Sequence, residues 1–175
     1  MSDQSMNSAD TVSFGERLAN SAVFGELFRE GMGLVEETAG YLDGPGRAES
    51  KKLERSAALA YATESMRLTT RLMQLASWLL LHRAVKEGEM SLAQANKEKT
   101  KVKLASADTT DKQSLELLPA ALQTLIARSH QLSTKVRRFD ATIHNQPTTQ
   151  RVVAGNPVEH QMGLLKAAFE QDRAS

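Results

Sequence analysis

The sequence contains no cysteine, which excludes disulfide bonds, cysteine-ligated zinc and a thiol nucleophile, and which suits a reducing compartment. It also lacks a long apolar run, because the uncharged stretch 72–81 is about half of the roughly 20 residues that a membrane-spanning helix needs. The first eight residues have neither the basic start nor the apolar stretch of a signal peptide. We therefore expect a cytoplasmic protein without membrane insertion.

An excess of charge of one sign is missing too. The 175 residues carry 22 lysines and arginines against 21 acidic residues, so no overall field recruits nucleic acid or an anionic membrane. The length suits one domain. We predict an all-α fold, a three-helix antiparallel bundle over 13–144, with a flexible N-terminus, 1–12, and a flexible C-terminal tail, 145–175.

Motifs of catalysis and cofactor binding are absent. The sequence has no glycine-rich phosphate loop after a strand, no Gly-x-Ser-x-Gly and no metal-binding spacing of the Glu-x-x-His or His-Glu-x-x-His kind. Its four histidines are scattered along the chain: His82, His130, His144 and His160. The sequence thus indicates a protein that is not an enzyme and that binds no cofactor and no metal.

The central element is a predicted helix over 47–88. One side of it carries leucines at a 4-3-4 spacing, namely Leu68, Leu72, Leu75 and Leu79. Two further apolar stripes run beside them, the first with Met66, Met73 and Leu80 and the second with Trp78, Leu81 and Val85. Since 72–81 is uncharged all round, we expect other parts of the protein to cover this helix on several sides.

A first helix is predicted over 13–43. Ser13 and Glu16 have the form of a capping box at its start, while Gly44 suits a left-handed C-cap and Pro45 suits a stop at its end. Its many glycines indicate either a bent helix or a flat surface that another helix or subunit approaches closely. The residues that we assign to a candidate dimer or cargo surface are Gly25, Gly31, Gly33, Trp78 and Leu81.

A third helix is predicted over 113–143. Its apolar residues follow a heptad-like seam, interrupted only by Ser129: Leu118, Leu122, Leu125, Leu132, Val136, Phe139 and Ile143. Pro119 predicts a break before the regular helix. The basic residues Lys135, Arg137 and Arg138 in the last turns either complement the helix dipole or form a docking patch for an acidic partner.

The polar connector, 89–112, and the tail leave alternatives open. Ser91 and Gln94 have the form of a capping box and predict a short helix, which is followed by four lysines within 97–103. Together with Arg137 and Arg138 these lysines support an alternative function as a DNA-associated regulator, although no aromatic residue lies among them for base stacking. A small-molecule site lined by Met66 and Met73 is a further alternative.

The tail carries a predicted short amphipathic helix over 158–171. Its apolar side consists of Met162, Leu164, Leu165 and Phe169. A helix this short is marginal on its own in water, so we expect it to fold on a partner, to pack on the bundle or to stay disordered.

Two segments resemble a known family. The segment 61–90, which reads YATESMRLTTRLMQLASWLLLHRAVKEGEM, is similar to the signature region of the RcdA family, regulators of CtrA degradation in alphaproteobacteria. The segment 24–46, FGELFREGMGLVEETAGYLDGPG, resembles the same family. Together they cover most of the first half of the chain, and the third helix agrees in its pattern.

The resemblance implies a specific function. Members of this family are three-helix bundles that dimerise and act as adaptors for the ClpXP protease together with CpdR, and they deliver CtrA with PopA, which binds cyclic-di-GMP. It also implies a location at a cell pole and a flexible C-terminal tail that matters for adaptor function, here 156–175. A helical dimerisation module with other partners is the alternative, and neither function includes direct binding of nucleic acid.

Overall fold

The computed structural model describes residues 21–101 and 111–144. These residues contain no β-strand and form six helices: α1 (Ala22–Asp43), α2 (Pro45–Ser50), α3 (Arg55–Lys86), α4 (Leu92–Lys101), α5 (Lys112–Glu116) and α6 (Ala120–His144). The long helices α1, α3 and α6 pack against one another and enclose the core. The prediction of an all-α bundle with three long helices is confirmed, while the terminal segments 1–12 and 145–175 lie outside the described residues.

Ion pairs across the bundle show how α1 and α6 run. Arg128 of α6 binds Glu37 of α1 at 2.6 Å, and Lys135, two turns further along α6, binds Glu30 at 2.8 Å, two turns further back along α1. The two helices are therefore antiparallel.

The helix α3 is also antiparallel to α1. The ring of Phe24 near the start of α1 lies 6.3 Å from the ring of Trp78, whereas Gly46, just after α1, lies against Tyr61. Because α1 is antiparallel to both other long helices, α3 and α6 run parallel to each other. Between the end of α3 and the start of α6 the chain therefore returns to the opposite end of the bundle, a return that the hydrophobic pattern did not predict.

The predicted central helix over 47–88 is interrupted. A turn over 51–54 separates the short α2 from α3, and Pro45 starts α2 rather than stopping helical structure. Proline suits a first helical position, because the N–H that it lacks has no intrahelical partner there. Gly44 has φ −113°, so the predicted left-handed conformation at this position is wrong. Among the described residues, the glycine with a left-handed conformation is Gly88, with φ 76°, which follows the end of α3.

The start of α1 is capped at Ser21. The Ser21 hydroxyl accepts a hydrogen bond of 3.4 Å from the Phe24 backbone N–H, which otherwise has no partner in the first turn. The capping box predicted at Ser13 and Glu16 lies outside the described residues.

The corner between α1 and α3 depends on a glycine and two tyrosines. Gly46 is buried, and a β-carbon at this position would lie 2.7 Å from both the Tyr41 ring and the Tyr61 hydroxyl. The Tyr41 hydroxyl donates a hydrogen bond of 2.7 Å to the carboxylate of Glu49. Only glycine leaves room for this corner, so α2 is held against the end of α1.

The stability of the fold depends on pH in the alkaline range because of Tyr41. Burial, and after it the hydrogen bond to Glu49, raises the pKa of the Tyr41 hydroxyl above its ordinary value. The folded state therefore holds this proton more tightly than the unfolded state. The resulting stabilisation is complete below about pH 10, the ordinary tyrosine pKa, and is lost as the pH rises above it.

We expect this contribution to disappear in Tyr41→Phe. The free energy of unfolding, measured by urea titration at about pH 9 and about pH 11, should fall less between the two conditions in Tyr41→Phe than in the wild type. Tyr61→Phe is the companion variant, because burial raises the pKa of Tyr61 as well and that residue remains in Tyr41→Phe. An equal fall in Tyr41→Phe and wild type would contradict the role given to Tyr41.

The heptad-like seam predicted for the third helix is confirmed. Every one of its eight residues is buried: Leu118, Leu122, Leu125, Ser129, Leu132, Val136, Phe139 and Ile143. Its polar member, Ser129, donates to the Ile126 carbonyl at 2.7 Å and accepts from the Arg71 guanidinium at 2.8 Å. The hydroxyl therefore serves as a polar link between α3 and α6 inside the core. The break expected at Pro119 is also present, between α5 and α6.

Candidate protein-interaction surface

The most unusual surface of the described residues is an apolar stripe on α3. Leu59, Met66, Met73 and Leu80 follow one another at intervals of seven residues and are 70%, 72%, 67% and 53% exposed. We call these four residues the α3 stripe. Seven residues are close to two turns of helix, so the four side chains lie along one side over about 32 Å.

Small, uncharged residues fill the spaces between the members of the α3 stripe. They are Ala62, Thr63, Thr69, Thr70, Ala76 and Ser77. Large apolar residues alternating with small ones are typical of a surface onto which a second helix packs closely. Exposed apolar surface of this extent marks an interaction site more often than scattered single residues do. The surface is therefore suited to a helical protein partner.

The opposite side of α3 forms the core. Leu68, Leu72, Leu75 and Leu79 are buried, as their spacing predicted. The expectation that α3 is covered on several sides is wrong for the stripe of Met66, Met73 and Leu80, which faces solvent. Each of α1 and α6 has a single apolar side, and two such sides cover only one side of α3.

An open pocket lies beside the α3 stripe. It has a volume of about 480 Å³ and lies between the end of α1, α2 and the first half of α3, with lining residues that include Leu42, Arg47, Tyr61, Met66 and Thr70. Met66 belongs both to the stripe and to the pocket wall. Met73 is not among the lining residues of this pocket, so of the two methionines in the predicted small-molecule site Met66 alone contributes to its wall.

Two residues assigned to the candidate surface lie inside the protein instead. Trp78 is buried, and so is Gly31, where a β-carbon would overlap the Leu79 side chain. The glycine here allows α1 and α3 to approach, which is a contact within the bundle. For Gly31 and Trp78 the structure therefore corrects the prediction of a surface role.

The remaining residues of that prediction are accessible to different degrees. Gly33 is exposed and Gly25 is half-buried, and a β-carbon at either position would meet no other atom within 4 Å. Leu81 is half-buried. Gly25 and Gly33 remain candidates for close approach by a partner, on α1 rather than on α3.

Trp78 is the centre of an aromatic cluster. Its ring stacks on His82 at 3.9 Å and meets the edge of Phe139 at 6.0 Å. Its indole N–H donates a hydrogen bond of 2.9 Å to Asp140, whose other carboxylate oxygen binds the Lys99 ammonium at 2.6 Å. This buried tryptophan thus joins α3 to α6 and, through Asp140, to α4.

The basic end of α6 is only partly available to a partner. Lys135 is bound to Glu30, whereas Arg138 is exposed and Arg137 is half-buried. Of the connector lysines, Lys99 binds Asp140 and Lys101 binds Glu98 at 2.9 Å. These pairs neutralise part of the charge on which binding to DNA would depend.

Other kinds of site are not found in the part of the chain that the structure describes. Over 21–101 and 111–144, no group of three or more histidine, aspartate or glutamate side chains is arranged to hold a metal ion. Within the same ranges, no helix is both long and apolar enough to span a bilayer. The tail residues Met162, Leu164, Leu165 and Phe169 lie outside the described residues.

The sequence identifies the α3 stripe by its spacing but does not show that this stripe, rather than another, is exposed. The spacing of Met66, Met73 and Leu80 identifies a stripe, but the prediction assigned it to the interior. Leu59 extends the same seven-residue interval by one more step. A count of the apolar sides available to cover α3 would have indicated that one stripe stays exposed.

Comparisons with known proteins identify one sequence family and a solved helical structure that this chain matches. A sequence model of the family described as "Protein of unknown function (DUF1465)" matches residues 15–169. The crystal structure of RcdA from Caulobacter crescentus is 51% identical to this chain and superposes with a TM-score of 0.61, covering 73% of this chain and 96% of that one. No curated protein matches. This chain therefore belongs to the DUF1465 family, and with it to the family of RcdA.

Proposed function

We propose that this protein is a non-enzymatic adaptor that delivers cell-cycle regulators such as CtrA to the ClpXP protease. In this function it acts with CpdR and, for CtrA, with PopA in its cyclic-di-GMP-bound form. The observation that carries the proposal is the exposed α3 stripe on a chain of the RcdA family. An adaptor requires surfaces for binding other proteins, and the exposed apolar side chains of the α3 stripe are suited to such binding.

The α3 stripe is suited to protein binding because more than half of the surface of each of its four large side chains is exposed. Burying an apolar side chain of this size completely is worth about 1.5–3 kcal/mol. A partner that covers several of them therefore gains enough for a modest affinity, after the cost of association. An adaptor needs no more than this, because a second modest contact with the protease raises the effective concentration of the substrate there.

A homodimer is part of the proposal. The α3 stripe is self-complementary, because an antiparallel two-fold pairing brings Leu59 of one copy opposite Leu80 of the other and Met66 opposite Met73. The axis then passes near Thr69 and Thr70, whose small side chains allow the helices to approach. Antiparallel helices also place their dipoles favourably. A cargo protein that presents a helix with an apolar side would bind to the same surface in place of the second copy.

We assign the protease-facing contact to the C-terminal tail, 156–175, with the predicted helix 158–171 as its recognition element. Its apolar residues Met162, Leu165 and Phe169 are spaced to lie on one side of a helix. In this arrangement the bundle holds cargo and the tail contacts the CpdR-primed protease. The protein would act in the cytoplasm, at the cell pole where these partners meet.

The proposal is tested by reconstituted degradation. Purified ClpXP, CpdR, PopA with cyclic-di-GMP and CtrA are combined with or without this protein, and CtrA is followed over time. We expect the protein to accelerate the loss of CtrA by about tenfold or more at low substrate concentration, as a tethering function predicts. Unchanged turnover would overturn the adaptor function.

A truncated chain tests the contact of the bundle with cargo separately from the contact of the tail with the protease. A chain ending at Gly155 should keep cargo binding in a pull-down and lose delivery, because only the tail is removed. Loss of cargo binding, or full delivery by the truncated chain, would contradict the division between bundle and tail.

A further inference from the structure

The short helix α4 differs from the rest of the bundle in how it is held. It starts with a capping box of its own, because the Ser91 N–H donates to the Gln94 side chain at 3.1 Å and the Gln94 N–H donates to the Ser91 hydroxyl at 3.2 Å. Helix formation over Leu92–Lys101 is thus supported from within. These hydrogen bonds lie within α4 and its cap, so they do not attach the helix to the rest of the bundle.

Little apolar surface attaches α4 to its neighbours. Of its ten residues only Ala95 is fully buried, and Leu92 is half-buried against the core. The other residues are polar or charged apart from Ala93, which is exposed. A segment with so few buried apolar contacts has a lower free energy of local opening than the core helices. Its docking must therefore depend on polar contacts.

One ion pair supplies that contact within the described residues. The Lys99 ammonium lies 2.6 Å from a carboxylate oxygen of Asp140 on α6, and both side chains are mostly buried, at 24% and 16% exposure. The carboxylate is oriented by the Trp78 indole, which donates to its other oxygen. A shielded, oriented pair of this kind is worth more than an exposed one.

We propose that α4 is a detachable arm, for which the Lys99–Asp140 pair is the latch. When the latch opens, α4 leaves the bundle as a unit and uncovers the part of α3 against which it packs, while α1, α3 and α6 stay together through their shared core. The protein therefore has a surface on α3 that is accessible only when the latch is open, in addition to the α3 stripe. This inference concerns the described bundle and does not rest on the proposed function.

Amide hydrogen exchange followed by mass spectrometry tests the latch in the full-length protein. We expect Lys99→Met to accelerate exchange over 95–101 by about tenfold, and exchange in α1 and in the central part of α6 to change by less than about twofold. Lys99→Arg, which keeps a cation, should stay close to the wild type in α4.

The matched control is Lys101→Met. Lys101 lies in the same last turn of α4 and its replacement removes the same charge, but its partner Glu98 is in α4 itself, and the pair does not reach α6. Exchange over 95–101 in this control should remain within about twofold of the wild type. The proposal is overturned if Lys99→Met exchanges like the wild type in α4, if Lys101→Met matches Lys99→Met, or if exchange rises equally throughout the bundle.

Discussion

Replacing Met66 and Met73 together by glutamate is expected to abolish self-association and cargo binding while leaving the fold of the single chain intact. Both side chains are more than two-thirds exposed, so their replacement costs the bundle less than about 0.5 kcal/mol each. In a two-fold dimer the same change places four carboxylates in an apolar interface. A weakening of self-association by a factor of about 1,000 or more follows, because unpaired charges are costly to bury.

Three measurements on this double variant separate its effects. Sedimentation equilibrium gives the dimer dissociation constant, a cargo pull-down gives binding, and thermal unfolding confirms the fold. Leu117→Glu is the control, since Leu117 is an exposed leucine outside α3. If the double variant associates and binds cargo like the wild type, the α3 stripe is not the interaction surface. If the wild type is monomeric but the variant loses cargo, the stripe serves cargo alone.

Replacing Gly31 by leucine should have the largest effect on stability. A β-carbon at Gly31 would overlap the Leu79 side chain and lie 3.6 Å from Leu132, in a core where both leucines are fully buried. The added side chain has no free volume, and α1 has to move away from α3 and α6. We expect a loss of about 3 kcal/mol or more in the free energy of unfolding, measured by urea titration.

Gly33→Leu is the matched comparison, two residues along the same helix. A β-carbon at Gly33 meets no atom within 4 Å, so the same replacement should stabilise the protein by up to about 1 kcal/mol through helix propensity. Similar effects at the two positions would contradict the packing described for Gly31. If Gly33→Leu stabilises the chain but blocks a partner, the exposed glycine surface of α1 is an interaction site as well.

Features set by local chemistry were predictable. The heptad-like spacing over 118–143 placed all eight seam residues in the core, and Pro119 marked the break before α6. Ser91 and Gln94 form the capping box that their spacing indicated. Each of these features depends only on the periodicity of a helix or on the hydrogen-bonding groups of a few neighbouring residues.

Features set by packing were not predictable. Pro45 is compatible both with the end of one helix and with the start of the next. It starts α2 because Gly46, the residue after it, packs between Tyr41 and Tyr61. Gly31 and Gly33 look equivalent in the sequence, yet only Gly31 faces the core. The side that α1 presents to α3 depends on all the contacts between the two helices.

By itself the sequence determined that this protein is a helical bundle of the RcdA family, because hydrophobic periodicity and the segments 24–46 and 61–90 are properties of the chain alone. Only the tertiary structure decided which apolar side of α3 is buried. Leu68, Leu72, Leu75 and Leu79 meet the apolar sides of α1 and α6, whereas the α3 stripe meets none. A leucine or methionine on a helix has the same affinity for any apolar neighbour, so its burial depends on which neighbours the fold supplies.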